Sequence, residues 1–364
     1  MKILIFSPDF IEYTIELANS ISEHENVILM LPKNRLKKSH YNRISKKVTV
    51  ETYTLLRQRN PACIFMMKRI MEKINYHNPD VLHIQAHGYL WFFIIFPFLK
   101  KYPIVNTVHD PKPHLGEAGL RHKIIIRNGI KYSDYFIVHG NKLKKQMMDY
   151  YNIPKQRIAN IPHGNLILYN KYSNKIINEE DKTIMFFGRL WKYKGLEYLI
   201  KAEPLITKEI PELKIILAFH GESFKHYEKF IKNRDRFEIH ERYIPNEEIS
   251  IFFQRASVVV LPYIEASQSG VVALSFAFGK PVVATNVGSI PEVVHNGKTG
   301  FIVRPKNEKA LAHAIIKLLK DNKLRKEFGE NAYKFATTEL SWDRVAELTI
   351  KVYDKAINAK KISI

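Results

Sequence analysis

The feature that most constrains this 364-residue chain is a rhythm of short apolar runs separated by stretches with helical spacing. The first half carries runs at Lys2–Phe6, Asn26–Leu31, Thr49–Leu55, Asp80–Gln85, Ile104–Val108, Tyr135–Val138 and Arg157–Ile161. Helical patterns fall between them at Thr14–Ser22, Pro61–Tyr76, Leu120–Tyr132 and Asn141–Tyr151. Near-continuous apolar runs, as opposed to alternating ones, mark strands buried on both faces. That is the signature of a parallel sheet with helices on either side. The rhythm stops at Leu168–Lys182, a polar stretch without apolar periodicity that reads as a linker. It then restarts with strand runs at Thr183–Phe187, Leu213–Phe219, Phe237–His240, Val258–Leu261, Pro281–Thr285 and Gly300–Val303. Helices are expected at Leu196–Ile206, Phe224–Asn233, Ala310–Leu319 and Asp321–Phe335, and from Ser341-Trp342 to about Asn358. The expected fold is therefore α/β, with two doubly wound domains at 1–168 and 169–340 and an end helix, 341–364, returning to the first.

The totals narrow the class further. A single cysteine, Cys63, excludes an internal disulfide and a cysteine metal cluster. Asp9 and Glu12 interrupt the apolar start too early for a signal peptide, so the expected location is the cytoplasm. The longest apolar run, Tyr89–Leu99, is about half of what a membrane-spanning helix needs and contains Pro97. It reads as a core helix, with a membrane-facing patch as the other reading. The net charge is +21. Between Lys33 and Lys73 twelve Lys and Arg residues stand against Glu51 and Glu72, a surface suited to an anionic partner such as the inner membrane face. A nucleic acid is not expected, because Tyr41, Tyr53 and Tyr76 are too sparse to form a stacking platform among those cations.

Ligands of open parallel sheets bind outside the carboxyl ends of the strands. In the first half those ends deliver His87-Gly88 and His109-Asp110. In the second half Thr183–Phe187 delivers Gly188-Arg189, with Lys194 five residues beyond Arg189, and Val258–Leu261 delivers the loop Glu265–Gly270. That loop runs Ser-Gln-Ser-Gly into a helix, so unpaired backbone amides face it and suit an anion. Two cations and a helix start suit a diphosphate. Glu265 would repel phosphate and is better placed to accept hydrogen bonds from hydroxyls. Together they suggest a nucleotide sugar.

Four segments carry a resemblance to a known family. They are F-F-G-R-L-W-K-Y-K-G-L-E-Y-L-I (186–200), L-P-Y-I-E-A-S-Q-S-G-V-V-A-L-S-F-A-F-G-K-P-V-V-A-T (261–285), N-V-G-S-I-P-E-V-V-H-N-G-K-T-G-F-I-V (286–303) and I-P-H-G-N (161–165). The chain resembles the GT-B glycosyltransferases, and within them the retaining enzymes of family 4 (group 1). The resemblance implies two Rossmann-like domains facing across a cleft. It also implies transfer of a sugar from a nucleotide-diphosphate donor, UDP- or GDP-linked, to a hydroxyl acceptor. Arg189 and Lys194 match the cations that hold the diphosphate, so neither a metal nor another cofactor is expected, and the chain has no Asp-x-Asp pair. Gln268, Ser269, Gly270 and Val271 match the loop that offers amides to diphosphate and sugar. Glu265 matches the first glutamate of an E-x7-E pair, and His109 a histidine near sugar and acceptor. Ile244, in Tyr243-Ile244-Pro245, falls where the base is seated.

The chain departs from the pattern at two places. Eight residues past Glu265 stands Ala273, with Leu274 next, where the family's second glutamate holds the ribose. The turn after the first strand, F-S-P-D-F-I (6–11), lacks the usual Gly-Gly pair. The expected acceptor is a cell-surface glycan or a lipid-linked glycan at an anionic membrane surface. Other classes compatible with the fold and charge are a sugar-nucleotide epimerase and a non-catalytic basic binding protein. Ser289 to Glu292 is expected to form a capping box.

Overall fold

The structure is a computed structural model that describes residues 1–85, 89, 91–112, 119–172 and 176–362. His87-Gly88, read above as delivered by a strand end, lies outside the described residues. The chain divides into two compact units. Among the described residues, one holds 1–112 and 119–164 and is completed by the chain from Trp342; the other contains Asn165–Ser341.

The first unit is built on seven strands: β1 (Lys2–Phe6), β2 (Asn26–Pro32), β3 (Thr49–Tyr53), β4 (Val81–Ile84), β5 (Ile104–Thr107), β6 (Tyr135–Val138) and β7 (Ile158–Asn160). They form one parallel sheet in the order β3-β2-β1-β4-β5-β6-β7. The second unit has β8 (Thr183–Leu190), β9 (Lys214–Gly221), β10 (Phe237–Glu241), β11 (Val258–Leu261), β12 (Val282–Thr285) and β13 (Gly300–Val303). Their order is β10-β9-β8-β11-β12-β13, also parallel. The order reverses direction at β1/β4 and at β8/β11. In open parallel sheets ligands bind outside the strand ends at such switch points.

Every expected strand forms, because runs such as Ile3–Phe6 and Val258–Leu261 are fully buried and leave their backbones no partner but neighbouring strands. The helices follow the expectation less closely. Lys225–Glu228 is a single turn where a helix to Asn233 was expected. Apolar spacing at 224, 227 and 230 suits successive turns as well as one helix. A helix at Asn246–Arg255 was not anticipated. The stretch read as a linker is not free. Glu179 bonds Lys280 at 2.7 Å, Glu180 pairs with Arg255, and Asp181 meets Arg325 at 3.1 Å, which fastens the segment to the second unit. The unit boundary accordingly falls after Gly164 and not after Leu168. The helix Ile290–Val293 forms, but without the capping box: the Ser289 hydroxyl is buried with no hydrogen-bond partner among the described residues.

The final helix, Trp342–Ile362, packs on the helix Ile11–Ile21 and across β4, β5 and β6 of the first unit. Its Tyr353 hydroxyl lies 2.6 Å from His83 Nδ1, while His83 Nε2 lies 2.7 Å from the Thr107 hydroxyl. All three groups are buried. Replacing Tyr353 by Phe strands a ring nitrogen of His83 in a dry environment. Urea denaturation of Tyr353→Phe should show a loss of about 1–3 kcal/mol.

Candidate active site

In the second unit the expected residues gather at the β8/β11 switch point. Strand β8 runs three residues further than expected and carries Arg189 in register with His220 of β9. Arg189 is exposed at the strand end. Burial, and then the charge of Arg189, lowers the His220 pKa, and the ring of Tyr243 stands 5.5 Å from that of His220. Beyond β8 a tight turn, Lys192–Lys194, presents Lys194, whose ammonium lies 3.8 Å from the centre of the Tyr263 ring.

This turn is fastened to the loop after β11. Gly195 has φ +63, and a Cβ on it would lie 2.1 Å from the carbonyl oxygen of Pro262. Only glycine fits there. The Ile264 amide donates to the Tyr193 carbonyl at 2.7 Å, and the Glu265 amide approaches the same oxygen at 3.4 Å. The end of β12 and the loop after it support the other side: the Thr285 hydroxyl donates to the Tyr263 carbonyl at 2.6 Å, and the Ser289 amide to the Ser267 carbonyl at 2.8 Å. Lys194 and Glu265 are thus held by one continuous set of backbone contacts.

The helix Gly270–Ala277 opens at this loop. Ser269 precedes it in extended conformation and does not cap it; its hydroxyl lies 3.4 Å from that of Tyr263. Among the described residues no backbone hydrogen bond is made by the amides of Gln268, Ser269, Gly270 or Val271. A Cβ placed on Gly270 would meet nothing within 4 Å, so a ligand can approach the backbone there. The helix buries Ala273 and Leu274, leaving Glu265 as the carboxylate of this loop. Ile244 is buried just before the helix Asn246–Arg255. Arg189, Lys194, Glu265 and the 268–271 amides therefore stand on the segments that leave β8 and β11 at the switch point. Tyr263, Thr285 and Gly195 hold those segments together and were not singled out from the sequence. A glycine between a basic turn and a helix start was the available signal. His220 shares the edge with Arg189.

His109 follows β5 in the first unit and is only 1% exposed. The ring of Phe10 stacks on it at 4.0 Å, with Tyr13 at 5.6 Å and His139 at 5.0 Å. Phe10, in the turn that lacks the Gly-Gly pair, has φ 54, a left-handed backbone uncommon for a residue with a side chain, and its ring lies over His109. Tyr13 also meets His163 and Trp342, both at 5.0 Å.

The first unit's buried histidines also set its acid response. Burial holds His83 and His139 at about 3, with a neighbouring histidine acting in the same direction in each case. The unfolded chain takes up those protons near pH ~6.5. The folded values are depressed, so between about pH 3 and 6.5 the unfolded state binds more protons. Stability is complete above that window and falls as the pH drops through it. Denaturation midpoints should decrease steadily on acidification from pH ~7 to pH ~4; a flat profile would show that these rings are not held neutral.

A parallel two-unit fold with two cations and backbone-free amides at one sheet edge suits an enzyme that binds a nucleotide sugar. Comparison with known proteins gives the family. The profile described as "Glycosyl transferases group 1" matches residues 170–335, and "Glycosyltransferase Family 4" matches residues 13–164. Three relatives illustrate the range. An uncharacterised glycosyltransferase of Methanocaldococcus jannaschii is 29% identical over 304 residues, 76% of each chain. The D-inositol 3-phosphate glycosyltransferase of Corynebacterium glutamicum is 25% identical over 71% of this chain and 68% of its own. The N-acetyl-alpha-D-glucosaminyl L-malate synthase of Bacillus anthracis is 23% identical over 93% of this chain and 91% of its own. Among solved structures, Anabaena HepE in complex with UDP and glucose superposes with a TM-score of 0.74 at 16% identity, covering 98% of this chain and all of that one. The chain belongs to the group 1, family 4 glycosyltransferases and has the GT-B fold. It is a glycosyltransferase that uses a nucleotide-sugar donor.

Proposed function

We propose that the enzyme transfers a hexose from a UDP- or GDP-sugar to a hydroxyl acceptor with retention at the anomeric carbon, and that it needs no divalent metal. The pairing of Arg189 and Lys194 with the open 268–271 amides carries this reading. The acceptor oxygen attacks the anomeric carbon on the face the nucleotide leaves. The bond to the diphosphate oxygen breaks, its electron pair departs with the nucleoside diphosphate, and the acceptor proton passes to that leaving oxygen. Arg189 and Lys194 stabilise the charge that develops there, and Glu265 accepts hydrogen bonds from the sugar hydroxyls. Ile244 seats the base through its backbone. His109 acts from beneath Phe10, holding that ring as part of the acceptor surface.

Arg189→Ala should lower turnover about 100-fold or more while leaving the fold intact, and chelators should leave activity unchanged. Thermal stability measured with UDP, GDP, ADP, CMP and dTDP in turn identifies the donor's base. The cognate nucleotide at a hundred times its Kd should add about 2.7 kcal/mol, and Arg189→Ala should abolish the gain. No gain with any nucleotide would overturn the donor-site assignment.

We further propose that the acceptor belongs to glycolipid or cell-surface polysaccharide synthesis and that the enzyme works at the inner membrane face. No helix among the described residues is long and apolar enough to cross a membrane. Contact would instead use the helices Cys63–His77 and Phe92–Leu99, which pack together. The second buries Ile95, Phe96 and Leu99 in the core yet leaves Ile94 and Phe98 more than half exposed. Ile64 and Phe65 on the first are equally exposed, with Lys68 and Arg69 in the next turn. Apolar tips beside cations suit an anionic bilayer. The Ile64→Ser, Phe65→Ser double variant should lose co-sedimentation with phosphatidylglycerol vesicles and keep its activity on a soluble acceptor. Equal sedimentation of both proteins would refute this surface.

A further inference from the structure

The first unit has a second built crevice, at the carboxyl edge of β1, β2 and β3. It is a pocket of about 540 Å³ lined by Asp9, Asn34, Arg35, Arg57, Gln58 and Tyr89, with Leu55 and Leu56 behind them. The size is that of a small-molecule site. Asp9 follows β1, Arg35 follows β2, Arg57 follows β3 and Tyr89 follows β4, so the pocket lies beside the β1/β4 switch point.

The pocket's charges do not cancel. The Asp9 carboxylate is already engaged: Arg35 forms an ion pair with it, and the Tyr89 hydroxyl donates to it at 3.2 Å. Burial and then Asp9 push the Tyr89 hydroxyl up to about 12, so it stays a donor. Arg35 also donates to the Pro8 carbonyl at 3.0 Å. Asn34 uses its side-chain amide on Leu55, donating to the carbonyl and accepting from the amide at 3.0 Å each, which pins the two loops together. Arg57 has no such commitment. Its guanidinium is exposed and has no partner among the described residues, leaving the pocket one positive charge in excess. One further group points the same way. The Tyr53 hydroxyl, at the end of β3, is buried with no hydrogen-bond partner among the described residues. After burial, the groups that most affect it are Tyr89, Asp9 and Arg35, which places it against the pocket's charged wall. A buried donor without a partner is costly unless a ligand or water satisfies it.

We propose that this pocket holds an anionic group, a phosphate or carboxylate, on a hydroxyl-bearing acceptor, with Arg57 as its principal charge contact. This rests on the reading that the first unit receives the acceptor. The chemistry has two sources, a small soluble acceptor or the headgroup of a lipid.

The test is calorimetric titration of the whole protein, saturated with its cognate nucleotide, against myo-inositol, D-myo-inositol 3-phosphate and L-malate. Vesicles in which phosphatidylinositol replaces phosphatidylglycerol at constant anionic content form the lipid arm. At least one charged probe should bind about tenfold or more tightly than myo-inositol. Arg57→Ala should remove that preference and leave nucleotide affinity unchanged. Asp9→Asn should act in the opposite direction and tighten the charged probe, because it releases Arg35 from its ion pair. Binding of a soluble probe assigns a free acceptor; binding only to the phosphatidylinositol vesicles assigns a headgroup. Equal binding of neutral and charged probes, binding of none, or an unchanged preference in Arg57→Ala would overturn the proposal. Loss of nucleotide affinity in the wild type would instead indict the donor site, so the two failures are distinguishable.

Discussion

The β8/β11 edge proposed to hold the donor depends on one steric constraint, the approach of Gly195 to the Pro262 carbonyl. A side chain at 195 would overlap that oxygen, so the turn bearing Lys194 can lie against the β11 loop only as glycine. Once that contact exists, the amides of Ile264 and Glu265 reach the Tyr193 carbonyl and the Lys194 ammonium settles over Tyr263. The Arg189 end of β8 runs directly into the lysine turn, while the glutamate loop comes some seventy residues later. The β8/β11 pairing brings the two segments side by side, and this contact fastens them.

The two units use their strand ends differently. The second unit keeps its crevice open: the helix start at Gly270 is uncapped, and the amides before it are unengaged by backbone. The first unit fills much of its edge with rings. Tyr13 gathers His109, His139, His163 and Trp342, and burial keeps His139 and His163 below the ordinary histidine range. A dry ring cluster is rigid support, and the charged groups of this unit's edge stand instead in the neighbouring pocket around Arg35 and Arg57.

Much of this was legible beforehand where one local signal had one meaning. Val258–Leu261 could only be a buried strand, and Gly188-Arg189 and Ser269-Gly270 followed from where strands end. Local signals failed where they were shared. Apolar residues at 224, 227 and 230 fit turns and helix alike. The charges of Glu179, Glu180 and Asp181 read as solvated linker until Arg255, Lys280 and Arg325, distant in sequence, claimed them. The Asn246–Arg255 helix had its own markers, Pro245 before it, Glu247 and Glu248 in its first turn and Arg255 in its last, yet its apolar stripe is short.

The sequence by itself determined two parallel sheets, the cations and amides at the β8/β11 edge, and the family, because strand runs and strand-end residues are local patterns. Only the tertiary structure decided that His109 lies beneath Phe10, that the stretch after Leu168 belongs to the second unit, and that Asp9 is neutralised by Arg35 while Arg57 stays uncommitted. Those outcomes depend on which side chains meet across strand order β3-β2-β1-β4 and across ion pairs spanning 75 to 144 residues. Such pairings are fixed by packing, and no local pattern encodes them.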